Sequence, residues 1–170
     1  MMRTTISTPR ATLLTVALGG MLLAACEKPP SPAAPPTLDR LAGMVAEGEP
    51  PPRAPDAPEV ARGLAVYTRH CLECHGERGV GPAGDWRVRD ADGHYPPPPL
   101  DDSAHAWHHP TAVLLEMIRD GSPGGEGKMP AWRHKLSEPE MQDVVAYIKS
   151  LWSDDVYRLW WKMERQSLEP

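Results

Sequence analysis

The pentapeptide Cys71-Leu72-Glu73-Cys74-His75 constrains this chain more than any other stretch. Two thiols three positions apart, followed at once by a histidine, form the attachment pattern of a c-type haem. Each thiol adds across one vinyl group of the macrocycle. The residue after the second thioether then lies beneath the iron, which makes His75 the proximal ligand. One turn of chain thus supplies both covalent attachment and axial ligation. A thioredoxin-like redox pair is the competing reading, but it calls for a βαβ setting that this sequence does not offer. Half of a zinc site would call for a second ligand pair in regular spacing.

The first residues point out of the cytoplasm. Arg3 and Arg10 precede an apolar run from Ala11 to Ala25 that is too short for a comfortable membrane span and reads as a secretory signal over residues 1–25. The run ends in Leu23-Ala24-Ala25-Cys26, which resembles the bacterial lipoprotein signal; the resemblance implies that Cys26 is lipidated and becomes the first residue of the mature chain. The 3 cysteines of the chain are then all assigned, one to lipid and two to haem. This predicts a protein anchored to a membrane through Cys26, on the periplasmic side.

Residues 26–58 follow as a tether. Ten prolines fall between Pro29 and Pro58, among alanines and acidic residues, so the segment cannot bury a core and favours extended polyproline conformations. At about 3 Å per residue it would hold a domain at most about 90 Å from its anchor. The folded part is expected over residues 59–152. A first helix from Glu59 to Cys71, with Val60, Leu64 and Tyr67 at helical spacing, runs into the haem motif. A second, Thr111 to Asp120, follows Pro110 and stops at Gly121. A third opens at Ser137 with Glu140 three positions on, a capping box, and continues through Met141, Val144, Val145, Ile148 and Leu151. No stretch alternates over a length that would suggest a sheet.

The haem pentapeptide opening the domain, the Met129-Pro130 pair downstream and the final helix from Ser137 to Trp152 together resemble the class I cytochrome c family. The resemblance covers residues 59–152. It implies an all-α fold of three or more short helices wrapped around one haem, with the macrocycle as much of the core. It also implies a close crossing of first and last helices, for which Gly63 and Tyr147 fit the small and aromatic partners. Met129 lies 54 residues after His75 in a glycine-rich loop, where the family puts its distal methionine, whereas Met117 and Met141 sit on helix faces and read as core. An open sixth site, or one taken by a histidine, is the other reading. The family's proximal histidine gives its ring proton to a proline carbonyl after the haem motif, which points to Pro98 or Pro99, before Leu100. His/Met ligation raises the potential and closes both faces of the iron, which favours electron transfer with redox partner proteins over catalysis.

His105, Trp107, His108 and His109 admit two readings. In one, Trp107 packs near the haem or bonds a propionate while the histidines cap the helix at Thr111. In the other, the imidazoles bind copper or zinc. Residues 153–170 carry Val156, Leu159, Trp160 and Met163 on one helical face, an extra C-terminal amphipathic helix expected to pack back on the domain. The net charge of −5 offers no basic surface for a nucleic acid. Lys128, Arg133 and Lys135 nonetheless crowd around Met129 and are expected to steer an acidic partner. A membrane-tethered electron carrier in a respiratory or related chain is the leading function. A haem enzyme or sensor with an exchangeable sixth ligand, and a copper-handling lipoprotein, are the alternatives.

Overall fold

A computed structural model describes residues 48–54 and 57–169. The signal segment, Cys26 and most of the tether lie outside the described residues. Within them the chain forms five α-helices and no strand: α1 (Pro58–His70), α2 (Leu72–His75), α3 (Thr111–Asp120), α4 (Glu138–Ser150) and α5 (Asp154–Leu168). None is long and apolar enough to cross a membrane. The helical architecture agrees with the small all-α fold that the sequence leads one to expect.

Pro58 opens α1, where its missing N–H costs nothing, and Glu59 and Arg69 complement the helix dipole at opposite ends. The helix stops at His70, with Cys71 as its C-cap, and restarts as the single turn α2 that carries Leu72, Cys74 and His75. The expected apolar face of α1 needs one correction. Leu64 is exposed, and the buried stripe is Gly63, Val66 and Tyr67. Helix α3 has the expected bounds and ends at Gly121 with φ 79°, the left-handed conformation that suits glycine. The capping box at α4 forms as the sequence predicts: the Glu140 amide donates to Ser137 Oγ at 3.4 Å and the Ser137 amide to Glu140 Oε2 at 2.9 Å.

Helices α1 and α4 cross at Gly63. A Cβ there would stand 2.0 Å from the Asp143 carbonyl oxygen and 2.9 Å from Tyr147 Cβ, so no other residue fits without separating the helices. Arg62 adds a two-pronged ion pair to Asp143 at 2.7 and 2.8 Å, and the Tyr67 and Tyr147 rings lie 4.9 Å apart. Val66, Tyr67, Val144 and Val145 are almost wholly buried around this crossing.

Helix α5 folds back over a second cluster of Ala106, Ile148, Trp152 and Trp160. Trp152 Nε1 donates to the Leu100 carbonyl at 2.8 Å, and the Ser153 amide to Asp102 at 2.9 Å. The histidines do not cap α3. Its first amide, Thr111 N, donates to Glu164 Oε2 of α5 at 2.6 Å, a partner 53 positions away. Beside this contact Lys149 Nζ donates to Thr111 Oγ1 at 2.7 Å and lies 3.9 Å from the centre of the Trp160 ring. Burial pushes the Lys149 amine down to about 8 from its ordinary 10.5, against the pull of Glu164.

Two predictions follow from this packing. Gly63→Ala should cost more than about 2 kcal/mol in denaturant unfolding of the loaded protein, because the rigid backbone of Asp143 cannot yield. Wild-type midpoints in the variant would show that the helices can part. Lys149 gives a pH signature. Between about pH 8 and 10.5 the unfolded chain holds a proton on this amine that the folded chain has lost, so the cost of burying the charge fades as pH rises. Wild type should therefore gain stability relative to Lys149→Met across that window, by an amount approaching about 3 kcal/mol. A difference that stays level over the same range would show that the amine keeps its ordinary affinity for protons.

Candidate haem site

The α1–α4 crossing aims α2 at a cavity of about 520 Å³. Its walls carry Cys71, Cys74 and His75 from the haem motif and Val113, Leu114, Met117 and Ile118 from α3. Met129, Pro130 and Trp132 come from the following loop, and Val144 and Ile148 from α4. Most of the lining is apolar, as a flat macrocycle requires.

The local backbone fixes His75 in place. Tyr67 OH, from the buried face of α1, donates to the Gly76 carbonyl at 2.7 Å, and the Gly81 amide donates to the His75 carbonyl at 2.8 Å. Gly76 adopts φ 71° at this bend, and an added Cβ would meet the Gly81 carbonyl oxygen at 3.1 Å. The His75 ring is pushed by burial below its ordinary pKa, with the Pro98 carbonyl favouring its protonated form in part. Its Nδ1 is buried and makes no hydrogen bond of ordinary geometry, so the carbonyl acts as a weak acceptor only. Burial therefore dominates and keeps the imidazole neutral, the form in which it ligates. Of the two prolines the sequence offers, Pro98 lines the cavity beside Leu100, while Pro99 packs on Gly81.

Cys71 and Cys74 form no disulfide, with Cys71 partly buried and Cys74 exposed. Burial, reinforced by Cys74, pushes Cys71 up to about 11. A shift in this direction is the opposite of the one that activates a redox thiol.

Met129 enters from the opposite loop, held by its own backbone. Its amide donates to Ser122 Oγ at 3.2 Å, and its carbonyl accepts from the Ser122 amide at 3.0 Å. A Cβ at Gly121 would sit 2.6 Å from that carbonyl oxygen, which ties the helix stop of α3 to the placement of the methionine.

Trp107 is not on the cavity wall. It packs against the Trp152–Trp160 cluster with its Nε1 buried and unpaired, and its ring lies 3.7 Å from that of His108. The cavity instead takes Trp86 and His105, whose rings stack at 4.6 Å and 20°, with Arg87 lying 4.9 Å over Trp86. Sequence reasoning missed Trp86, an isolated aromatic in a charged loop, which was the available signal. His109 also lines the cavity, edge-on to His105, while His108 turns away. Among the described residues no three His, Cys, Asp or Glu side chains gather into a set able to hold a metal ion. The basic cluster is largely neutralised: Lys128 pairs with Asp90 and Asp92, Arg133 with Asp120, and Lys135 lies over Trp132.

Residues 58–148 match the family described as cytochrome c oxidase, cbb3-type, subunit III, over more than half of the chain. The chain belongs to this family. Among curated relatives, the cbb3-type cytochrome c oxidase subunit CcoP of Azospirillum sp. (strain B510) is 30% identical over 99 residues, 58% of this chain and 31% of that protein. The corresponding subunit FixP of Bradyrhizobium diazoefficiens is 29% identical over 93 residues, 55% of this chain and 28% of that protein. Cytochrome c6 of Synechocystis sp. is 23% identical over 94 residues, 54% of this chain and 65% of that protein. The match thus spans about a third of the oxidase subunits' length. No solved structure matches.

Haem c is the group this cytochrome family implies, and the cavity fits it. The lining is apolar, the two thiols stand at its border, and His75 and Met129 both contribute to its wall. Two buried nitrogens of lining residues, His75 Nδ1 and His105 Nδ1, make no hydrogen bond of ordinary geometry within the protein.

Proposed function

We propose that this chain is an electron-transfer protein carrying one haem c, joined covalently through Cys71 and Cys74 and ligated by His75 and Met129. The observation that carries the reading is the presence of both thiols, the imidazole and the thioether on one apolar cavity. Haem supplies a one-electron couple; the protein supplies its setting. Cys71 and Cys74 fix the group in register with α2. His75 is kept neutral by burial, and Met129 is held by Ser122 and Gly121. Thioether ligation in an apolar cavity favours the reduced state, and ligands on both faces leave no site for substrate. The oxidase subunits among the relatives support a redox partner in a respiratory chain. The Leu23-Ala24-Ala25-Cys26 signal supports a periplasmic position with a lipid anchor at Cys26.

The test is direct. Haem should resist acid–acetone extraction from the wild type, and Cys71→Ala or Cys74→Ala should each weaken its retention. Spectra of oxidised and reduced protein should report His/Met ligation that Met129→Ala abolishes. Free extraction from the wild type, or unchanged spectra in the methionine variant, would refute the assignment. For the anchor, palmitate should label the full-length wild type and not Cys26→Ser; equal labelling of both would remove it.

A further inference from the structure

The long charged loop between Gly79 and Tyr95 contributes Trp86 and Tyr95 to the cavity wall, and it is fastened to the Met129 loop at several points. Lys128, the neighbour of Met129, donates to Asp90 Oδ2 and Asp92 Oδ2, both at 2.8 Å. Arg89 pairs with Glu126 at 3.2 Å, donates to the Gly93 carbonyl at 2.7 Å, and covers the Tyr95 ring at 4.1 Å. The Tyr95 amide donates to the Glu126 carbonyl at 2.8 Å, and Tyr95 forms a single parallel bridge with Gly127. The acidic turn is itself ordered. Asp90 Oδ1 accepts from the amides of Asp92 and His94, both at 3.0 Å.

From this arrangement we propose that residues 89–95 are a positioning clamp for the Met129 loop. Its ion pairs set how readily the methionine yields its place on the haem to another ligand. This rests on the reading of Met129 as an axial ligand. Exchange at the sixth position requires only local opening of the 126–130 loop, and local openings cost far less than global unfolding. On the inner side the loop is held by Ser122. On the outer side its two charged residues, Glu126 and Lys128, both engage the clamp. Exposed ion pairs contribute little singly, but several acting on one short loop shift an opening equilibrium measurably. The Asp90 carboxyl is held down at about 2, first by Lys128 and then by the His94 amide. An electrostatic clamp of this kind weakens with salt, whereas the Ser122 contact does not.

The experiment titrates imidazole into the oxidised, haem-loaded protein and follows the absorption spectrum, comparing wild type with Lys128→Gln, Asp92→Asn and Met129→Ala. Asp90 is left intact because its carboxylate also shapes the turn. Lys128→Gln is expected to bind imidazole about three- to tenfold more tightly than wild type at low salt, and Asp92→Asn by a smaller factor in the same direction. Both gaps should close near 1 M salt, where the Debye length falls to about 3 Å. Circular dichroism and retained covalent haem report folding. If Met129→Ala binds more tightly than wild type while Lys128→Gln and Asp92→Asn do not, the clamp is overturned and the ligand assignment stands. If Met129→Ala binds no more tightly than wild type, the ligand assignment falls and the clamp with it.

Discussion

The crossing of α1 and α4 at Gly63 is the contact on which the site's geometry depends. With a prospective Cβ only 2.0 Å from the Asp143 carbonyl oxygen, the two backbones are as close as chemistry allows. The pair of tyrosines and the Arg62–Asp143 fork then fix its direction. Because α2 follows α1 after a single residue, that direction is inherited by Cys71, Cys74 and His75. Tyr67 carries the constraint further. It is buried in the crossing, and its hydroxyl holds the Gly76 carbonyl immediately after the histidine. A disturbance at Gly63 therefore reaches the Cys71–His75 side of the cavity along the covalent chain and through the Tyr67 hydrogen bond.

The Met129 side of the cavity answers to a different set of forces. Met129 is fixed by backbone contacts to the end of α3, and α3 is capped by Glu164 of α5. The C-terminal helix, which a minimal domain of this kind does not require, thus completes the element that carries much of the cavity wall. Lys149 lies at the same junction, on Thr111 and the Trp160 face. Burying an amine there carries a penalty at neutral pH, and the contacts around it recover only part of that penalty.

What could be read from the sequence divides along the range of the interactions involved. The bounds of α3 and the start of α4 rest on local signals, Gly121 for one and the Ser137/Glu140 box for the other, and both are where those signals put them, while α4 ends at Ser150, short of the expected Trp152. The haem motif and Met129 rest on spacing and resemblance, and they line one cavity. The buried face of α1 was less legible, since Leu64 and Gly63 differ by only one position and the tight approach of Asp143 is invisible in the chain itself. The histidine cluster was misread for a similar reason. No local signal reveals that Glu164, 53 positions later, satisfies the Thr111 amide. Nor does composition distinguish Trp107, drawn into the α5 cluster, from Trp86, which faces the cavity.

The basic residues around Met129 carry the same lesson into recognition. Counted in sequence, Lys128, Arg133 and Lys135 form a positive patch. In the fold, the first two spend their charge on Asp90, Asp92 and Asp120. A cation held within a few ångströms of a carboxylate projects a dipole, not a monopole, and a dipole's field decays within the screening length that governs diffusional steering. Long-range attraction of an acidic partner to these residues is correspondingly weak. The charges around the methionine serve first to hold the loop that carries it.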